Sequence, residues 1–195
     1  MALDLLIDMD GVCANLNRHL CALIEHDFDV VVSPDDIKNY DLSMSFPTVP
    51  KKSLYAYFHR AEFWSSLRPI EGAIEVITAL HQEGHDIKFV TSCPGGHDGK
   101  IKWLKKHFDF IRKKPSPWYD VIFTAHKHLV RGHLLLDDLP ANVDKFCQEQ
   151  QWHPDVQAGV LFRQPYNLEY SGLSVSTWVE FHGIVQAVDK LRQAA

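Results

Sequence analysis

Asp8 and Asp10 flank Met9 directly after the first apolar run of the chain, residues 3–7. A carboxylate is a competent nucleophile at phosphorus, because its attack gives an acyl-phosphate that water then removes. The motif Asp8-Met9-Asp10-Gly11-Val12 is also compatible with a plain turn, since Asp and Gly are common turn residues. Support for the chemical interpretation must therefore come from residues elsewhere in the chain.

Polar residues suited to the same chemistry follow later apolar runs. Several carboxylates at one place repel each other and need a cation, and an oxygen site with room for water and a phosphate oxygen suits Mg²⁺. A metal ion and the ammonium of Lys127 would together neutralise charge on a phosphoryl group during its transfer, and Thr91 offers a hydroxyl to the phosphate oxygens. The residues are Thr91 and Ser92 after the run 87–90, Lys127 a few residues after the run 120–123, and Asp137 and Asp138 after the run 133–136.

Short apolar runs alternate with helical patterns along most of the chain. The runs are short and end abruptly, which favours strands over helices. Their alternation with helices predicts an α/β fold with a mainly parallel five-stranded sheet flanked by helices. The polar residues then stand at the carboxyl ends of strands, where an open α/β sheet holds its ligands. The predicted strands are 3–7, 87–90, 120–123, 133–136 and 158–162, and the predicted helices are 74–80, 101–108, 142–150 and 178–191.

Residues 16–68 contain no convincing buried strand. Helical patterns occupy 16–24 and 52–63, and Ser33-Pro34-Asp35-Asp36 is typical of a helix start. An insertion of this length is too large for an ordinary loop between a strand and a helix. We therefore predict a small helical cap of residues 16–68, inserted after the first strand of a core domain that comprises 1–15 and 69–195.

Aromatic residues are concentrated in the predicted cap. Such rings either stack on a nucleobase, which always offers a π-face, or form the small core of the cap itself, and the sequence leaves both interpretations open. Phe63 and Trp64 are the candidates for a wall of the substrate pocket, because they come just before the chain returns to the core domain.

The bulk composition is that of a globular protein with one well-buried core. Of the 195 residues, 46% are hydrophobic and 23% are charged, and the formal net charge is -5. This acidic balance argues against duplex nucleic acid as the main partner. The basic stretch 100–106, continued by 112–114, has its apolar residues at helical spacing, so we interpret it as a solvated amphipathic helix rather than a nucleic-acid patch.

The distribution of cysteines and the sequence of the N-terminus are relevant to the cellular compartment of the protein. The four cysteines are scattered, and no basic segment precedes a long apolar stretch at the N-terminus. These features predict reduced thiols in a cytoplasmic protein with no membrane span. The oligomeric state does not follow from these residues.

The motifs follow one another in a recognisable order. They are Asp8-Met9-Asp10-Gly11-Val12, Phe63-Trp64 ahead of 68–73, Val90-Thr91-Ser92, Trp103, Thr124-Ala125-His126-Lys127, Leu136-Asp137-Asp138 and Phe162-Arg163-Gln164-Pro165-Tyr166-Asn167. Taken together they resemble the haloacid-dehalogenase-like (HAD) phosphatase superfamily. Within it, the chain is most similar to the 5'(3')-deoxyribonucleotidase family, over nearly its whole length.

The resemblance implies a Mg²⁺-dependent phosphomonoesterase that acts on a small phosphorylated substrate, a nucleoside monophosphate. Asp8 would be the nucleophile and a metal ligand. Asp10 would protonate the leaving oxygen, deprotonate the attacking water and bind the metal through its backbone carbonyl. An Asp at this second position favours a phosphatase, because superfamily branches with other chemistry often have another residue there.

The resemblance also implies roles for the later motifs. Thr91, Ser92 and Lys127 would hold the phosphate group. Asp137 would bind the metal directly, and Asp138 would act nearby, through water.

Leu139 stands where animal members of the nucleotidase family tend to have an arginine. This departure bears on the nucleotide substrate and not on the chemistry, and the glycine-rich segment 93–100 bears on the phosphate side of the pocket. Two alternatives to a nucleotidase stay open. One is a HAD phosphatase for another small ester such as a sugar phosphate, and the other is a non-catalytic HAD domain that binds a phosphorylated ligand. The intact set of predicted catalytic residues argues against the second, since a binding domain needs no second carboxylate for proton transfer.

Overall fold

A six-stranded parallel sheet forms the centre of the computed structural model, which describes residues 2–116, 120–149 and 157–194. The strands are β1 (Asp4–Ile7), β2 (Asp86–Thr91), β3 (Val121–Phe123), β4 (Leu134–Asp137), β5 (Ala158–Phe162) and β6 (Ser174–Val175). They lie in the order β3-β2-β1-β4-β5-β6, and every neighbouring pair is parallel. The predicted α/β fold is confirmed. The sheet has one strand more than predicted, because the two residues of β6 form no recognisable apolar run.

Helices connect the strands and pack on the sheet. They are α1 (Leu16–Phe28), α2 (Lys51–Ala56), α3 (Ala61–Ser65), α4 (Ala73–Gln82), α5 (His97–His107), α6 (Asp109–Arg112), α7 (Pro140–Gln148) and α8 (Trp178–Ala194). α4 contacts β2 and α8, and α7 contacts β4 and β5. None of the helices in the described ranges combines the length and apolarity needed to cross a membrane.

Alternate residues of the strands enter different parts of the core. Leu5 and Ile7 belong to the main hydrophobic cluster, whereas Leu6 packs with Leu135 and Phe146 in a second cluster. Since side chains alternate across a strand, both faces of the sheet are buried. This double burial explains why the strands read as continuous apolar runs rather than as alternating patterns.

The segment 16–68 leaves the sheet and returns to it at one place. Ala14 and Pro69 form an antiparallel bridge, and Asn15 N donates a hydrogen bond to Arg68 O at 2.8 Å. Between these points the chain forms helices and 3₁₀ turns and no strand. The cap boundaries remain a prediction, and the paired ends are compatible with them.

The helices of this segment are shorter than the sequence pattern predicts. The region 52–63 contains α2 and α3, separated by the 3₁₀ turn Tyr57–His59. Arg60 interrupts the helix with an extended backbone, φ -97° and ψ 125°. Ser33 caps the 3₁₀ turn Pro34–Asp36 instead of an α-helix. These short elements bury aromatic side chains on more than one side, which a single amphipathic helix would not do.

The position of β4 in the sheet generates a stability prediction. Leu135→Ala should lower the free energy of unfolding by about 2–5 kcal/mol, because it removes fully buried atoms and leaves a cavity. Leu191→Ala, the same substitution at a side chain that is 70% exposed, should change that free energy by less than about 0.5 kcal/mol. Urea unfolding followed by circular dichroism measures both variants, and equal effects would contradict this assignment of the core.

Candidate active site

Three adjacent strands bring the predicted polar residues to one edge of the sheet. β2, β1 and β4 are neighbours, and Thr91 and Asp137 are the last residues of β2 and β4. Asp8 directly follows β1, and its N–H continues the ladder to Leu136 O at 3.0 Å. Because parallel strands end at the same edge, motifs that are far apart in sequence become neighbours.

Three carboxylates form a buried cluster at this edge. One oxygen from each of Asp8, Asp137 and Asp138 lies within 4.8 Å of the others. Lys127 Nζ lies 2.8 Å from Asp8 Oδ2 and 2.7 Å from Asp137 Oδ2. In the part of the chain that the structure describes, no other group of three or more His, Cys, Asp or Glu side chains is arranged to hold a metal ion.

The cluster changes the proton affinity of its members. Burial acts to lower the pKa of Lys127, but the charges of Asp8 and Asp137 outweigh burial and raise that pKa above its ordinary value. Burial raises the pKa of Asp137, and the positive charge of Lys127 only partly opposes this shift. Burial also raises the pKa of Asp138 well above its usual range. Burial is the largest cause of both carboxyl shifts, and the negative charge of Asp8 adds to each of them.

The donor set fits a divalent cation. With every group ionised, three carboxylates and the single ammonium of Lys127 leave a net charge of about two negative units, and all available ligand atoms are oxygens. Hard divalent cations prefer oxygen ligands, and Mg²⁺ is bound by few protein carboxylates with room left for water and phosphate oxygens. The residues present therefore suit Mg²⁺ better than a metal that prefers nitrogen or sulphur.

Hydrogen bonds from the start of α7 hold Asp137. Leu139 N donates to Asp137 Oδ1 at 2.9 Å, and Asn142 Nδ2 lies 3.1 and 3.2 Å from the two carboxylate oxygens. Asn142 was not predicted as a site residue. Its place one helical turn after the Asp pair is the signal that could have identified it, because a side chain in the first turn of a helix can reach back to the residues before it.

The segment 164–167 holds Asp138 and the first motif. Tyr166 donates its hydroxyl proton to Asp138 Oδ2, and Asn167 Nδ2 donates to Asp138 O at 2.7 Å. Gln164 Nε2 donates to Gly11 O at 2.7 Å. The sequence similarity pointed to this segment without assigning it a task, and the structure places it against two motifs at once.

Lys100 is the charged residue that the sequence interpretation missed. It is fully buried, and its Nζ donates to Asp10 Oδ2 at 2.5 Å, Thr91 Oγ1 at 2.8 Å and Ser92 O at 2.8 Å. The basic stretch was interpreted as a solvated helix, which holds for most of its lysines. The missed signal is spacing, since Lys100 precedes the buried Trp103 by three positions and so shares the buried helix face.

A cavity of about 340 Å³ opens beside the carboxylates. Carboxylates line one end, and aromatic rings of the segment 16–68 line much of the rest. Asn17 and Asp41 add polar groups, and Ser92 and Pro94 close the side next to β2. The lining residues are Asp8, Asp10, Leu16, Asn17, Tyr40, Asp41, Leu42, Tyr55, Phe58, Trp64, Ser92, Pro94, Asp138 and Tyr166.

The two predicted wall residues occupy different positions. Trp64 lines the cavity. Phe63 is only 3% exposed and packs behind it, with ring centroids 5.0 Å from Trp64 and 5.3 Å from Phe58. Phe58 and Tyr55 contribute to the lining in its place. Both roles considered for the aromatic residues, wall and core, therefore occur in one continuous cluster.

The architecture is the HAD-like fold. The solved structure of a haloacid dehalogenase-like family hydrolase from Xanthomonas campestris covers 98% of this chain and 95% of its own, with a TM-score of 0.56 and 13% sequence identity. This likeness concerns the fold alone.

Sequence comparison identifies the family. The family model described as 5' nucleotidase, deoxy (pyrimidine), cytosolic type C protein matches residues 2–191, so the chain belongs to this nucleotidase family. A 5'(3')-deoxyribonucleotidase from Clostridium acetobutylicum is 26% identical over 72% of this chain and 75% of its own length. A protein from Chlorobaculum tepidum, provisionally named for the same activity, is 22% identical over 93% of this chain and 89% of its own. The predicted resemblance is confirmed, and the chain is a phosphomonoesterase.

The glycine in the first motif provides a test of the site geometry. Gly11 has φ +72°, and a Cβ there would collide with Asp138 Oδ2 and lie 2.8 Å from the Tyr166 hydroxyl. Gly11→Ala should therefore displace Asp138 and lower phosphatase activity by about 100-fold. Gly84 has φ +94°, and a Cβ there would meet no heavy atom within 4 Å, so Gly84→Ala controls for backbone strain alone. Steady-state phosphate release measures both, and equal activity of the two variants would contradict the proposed contact.

Proposed function

We propose that the chain is a Mg²⁺-dependent 5'(3')-deoxyribonucleotidase, which dephosphorylates nucleoside monophosphates through an aspartyl-phosphate on Asp8. The observation that carries the proposal is the composition of the cavity. Its lining combines the carboxylates of Asp8, Asp10 and Asp138 with several aromatic rings, and it includes no Lys or Arg in the described residues. A phosphate dianion needs a cation to approach such carboxylates, and flat rings suit a nucleobase.

The first half-reaction transfers the phosphoryl group to the enzyme. An Asp8 carboxylate oxygen would form a bond to phosphorus while the bond from phosphorus to the ester oxygen breaks. Asp10 would give its proton to the departing oxygen. Burial raises the pKa of Asp10, although Lys100 opposes the shift, and a raised carboxyl pKa favours the protonated form that a general acid requires.

The second half-reaction returns the enzyme to its starting state. Asp10, now ionised, would take a proton from a water molecule as that water attacks phosphorus, and the bond to the Asp8 oxygen would break. Inorganic phosphate then leaves. Asp10 Oδ1 is buried and has no hydrogen-bond partner among the described residues, so it is an acceptor available for this proton.

The metal and the basic groups would stabilise charge in both steps. The side chains of Asp8 and Asp137 and the backbone carbonyl of Asp10 would hold Mg²⁺, with Asp138 acting through water. When bound, Mg²⁺ supplies positive charge to the phosphoryl oxygens. The geometry that supports this assignment is the mutual approach of the three carboxylates within 4.8 Å.

Phosphate binding would fall to residues at the end of β2 and after β3. Ser92 lies in the cavity lining, and Thr91 at the end of β2 is fully buried beside it. Lys127, which contacts Asp8, would add positive charge where the phosphoryl group is transferred.

The substrate assignment rests on the aromatic part of the cavity and on the family. Tyr55, Phe58 and Trp64 present rings towards the space beyond the carboxylates, and the Clostridium acetobutylicum relative is named as a 5'(3')-deoxyribonucleotidase. A sugar phosphate offers no aromatic face that could stack on these rings. Leu139 does not line the cavity as the structure describes it, so the nucleoside would be held by these rings rather than by a basic residue at that position.

A substrate panel tests this proposal. With Mg²⁺, the protein should release phosphate from deoxyribonucleoside monophosphates with a kcat/KM at least about tenfold above that for sugar phosphates. EDTA should abolish the activity and added Mg²⁺ should restore it. A preference for sugar phosphates would reject the nucleotide assignment and keep the mechanism, whereas activity that survives EDTA would reject the metal assignment.

Asp8→Asn tests the covalent step. Loss of the nucleophile should lower kcat by about 10⁴-fold or more, while Asp109→Asn, at a carboxylate that is 66% exposed, should retain full activity. Acid-quenched wild-type enzyme should carry phosphate from labelled substrate in a hydroxylamine-labile bond, as expected of an acyl-phosphate, and Asp8→Asn should carry none. Equal labelling of both proteins would show that the intermediate is not on Asp8.

A further inference from the structure

The glycine-rich segment after β2 lies in close contact with the chain around α3. A Cβ at Gly95 would lie 2.6 Å from His59 Nδ1, and one at Gly96 would lie 2.6 Å from Trp64 Cδ1. A Cβ at Gly99 would collide with the carbonyl oxygen of Ala61. We call Gly95, Gly96 and Gly99 the glycine seam. Because each of them lacks a side chain, the start of α5 and the two residues before it can approach the segment 59–64 more closely than they could with any other residue type at these positions.

The residue after the seam is Lys100, and all of its donor capacity is used. A lysine ammonium has three protons, and Lys100 donates to Asp10, Thr91 and the carbonyl oxygen of Ser92. Its side chain is fully buried. Lys100 therefore has no free proton to offer a substrate phosphate, and its contacts assign it the task of holding Asp10 against the end of β2.

Trp64 covers the remaining side of this ammonium. Lys100 Nζ lies 4.2 Å from the centroid of the Trp64 ring, within the range of a favourable cation–π contact. The ring is itself fixed, because Trp64 Nε1 donates to Phe58 O at 2.8 Å and the ring stacks on Phe58 with centroids 5.5 Å apart. Trp64 thus contacts both the substrate cavity and the lysine that holds Asp10.

We propose that Trp64 is a positioning residue for catalysis, which acts through Lys100 on Asp10, and that the glycine seam makes this contact possible. The proposal rests on the function proposed above, in which Asp10 transfers protons. The segment 59–64 then does more than form a wall, since it fixes the orientation of the Asp10 carboxylate through the shared contact with Lys100. A substitution at Trp64 should accordingly change kcat and not only KM.

A double-mutant cycle tests the proposal, with kcat measured on whichever monoester of the panel the wild type hydrolyses fastest. Trp64→Leu and Lys100→Met should each lower kcat by at least about tenfold. The double variant should fall no more than about threefold below Lys100→Met, because Trp64 acts through Lys100. Independent effects, multiplying to about 100-fold, or a Trp64→Leu variant that changes only KM would overturn the proposal. Because the assay uses any hydrolysed ester, failure of the nucleotide assignment does not affect the cycle.

A glycine pair tests the seam without touching Trp64 or Lys100. Gly99→Ala should separate α5 from α3 and lower kcat by about tenfold. Gly183→Ala is the matched control, since Gly183 is also helical and a Cβ there has no heavy atom within 4 Å; it should leave kcat unchanged. Urea unfolding verifies that each variant is folded. Trp64→Phe keeps a ring over Lys100, so it should retain more of the wild-type kcat than Trp64→Leu. An unchanged kcat in folded Gly99→Ala, or equal losses in the two Trp64 variants, would contradict the positioning role.

Discussion

Negative charge buried at one edge of the sheet is the constraint on which the rest of the structure depends. Asp8, Asp137 and Asp138 lie together with little access to water, and carboxylates in such a place are unstable unless they are paired and hydrogen-bonded. Lys127 bridges two of them. The neighbouring elements supply the remaining donors, namely Met9 N, Leu139 N, the Asn142 amide and the Tyr166 hydroxyl.

The same edge forms one end of a cavity whose other walls come from the segment 16–68. In the proposed function, a phosphate and a cation meet at the carboxylates of the lining, and the aromatic rings contact the flat group of the substrate. Lys100 connects these two parts, because it pairs with Asp10 on one side and lies under the Trp64 ring on the other. The aromatic lining of the cavity and the carboxylate of Asp10 are therefore joined through one buried lysine, and the proposed positioning role of Trp64 depends on this connection.

Much of this arrangement was predictable from local sequence. A parallel strand buried on both faces must be a short apolar run, so the first five strands of the sheet by sequence were recognised together with the polar residues at their ends. Asp8, Thr91 and Asp137 follow from that rule, since ligands gather at the carboxyl ends of parallel strands. The length of the segment 16–68 and its lack of strands also predicted an insertion with helical character.

Other features were decided only by tertiary packing. β6 has two residues and exists because β5 offers it an edge. Lys100 belongs to a basic stretch, and only the close approach of α3 to α5 across glycines buries it beside Asp10. Sequence alone determined which residue types stand at the strand ends, because burial imposes a local pattern of side chains. Which strands are neighbours, and how closely two helices approach, depends on contacts between distant residues, and those contacts decided how the carboxylates, Lys100 and Trp64 meet.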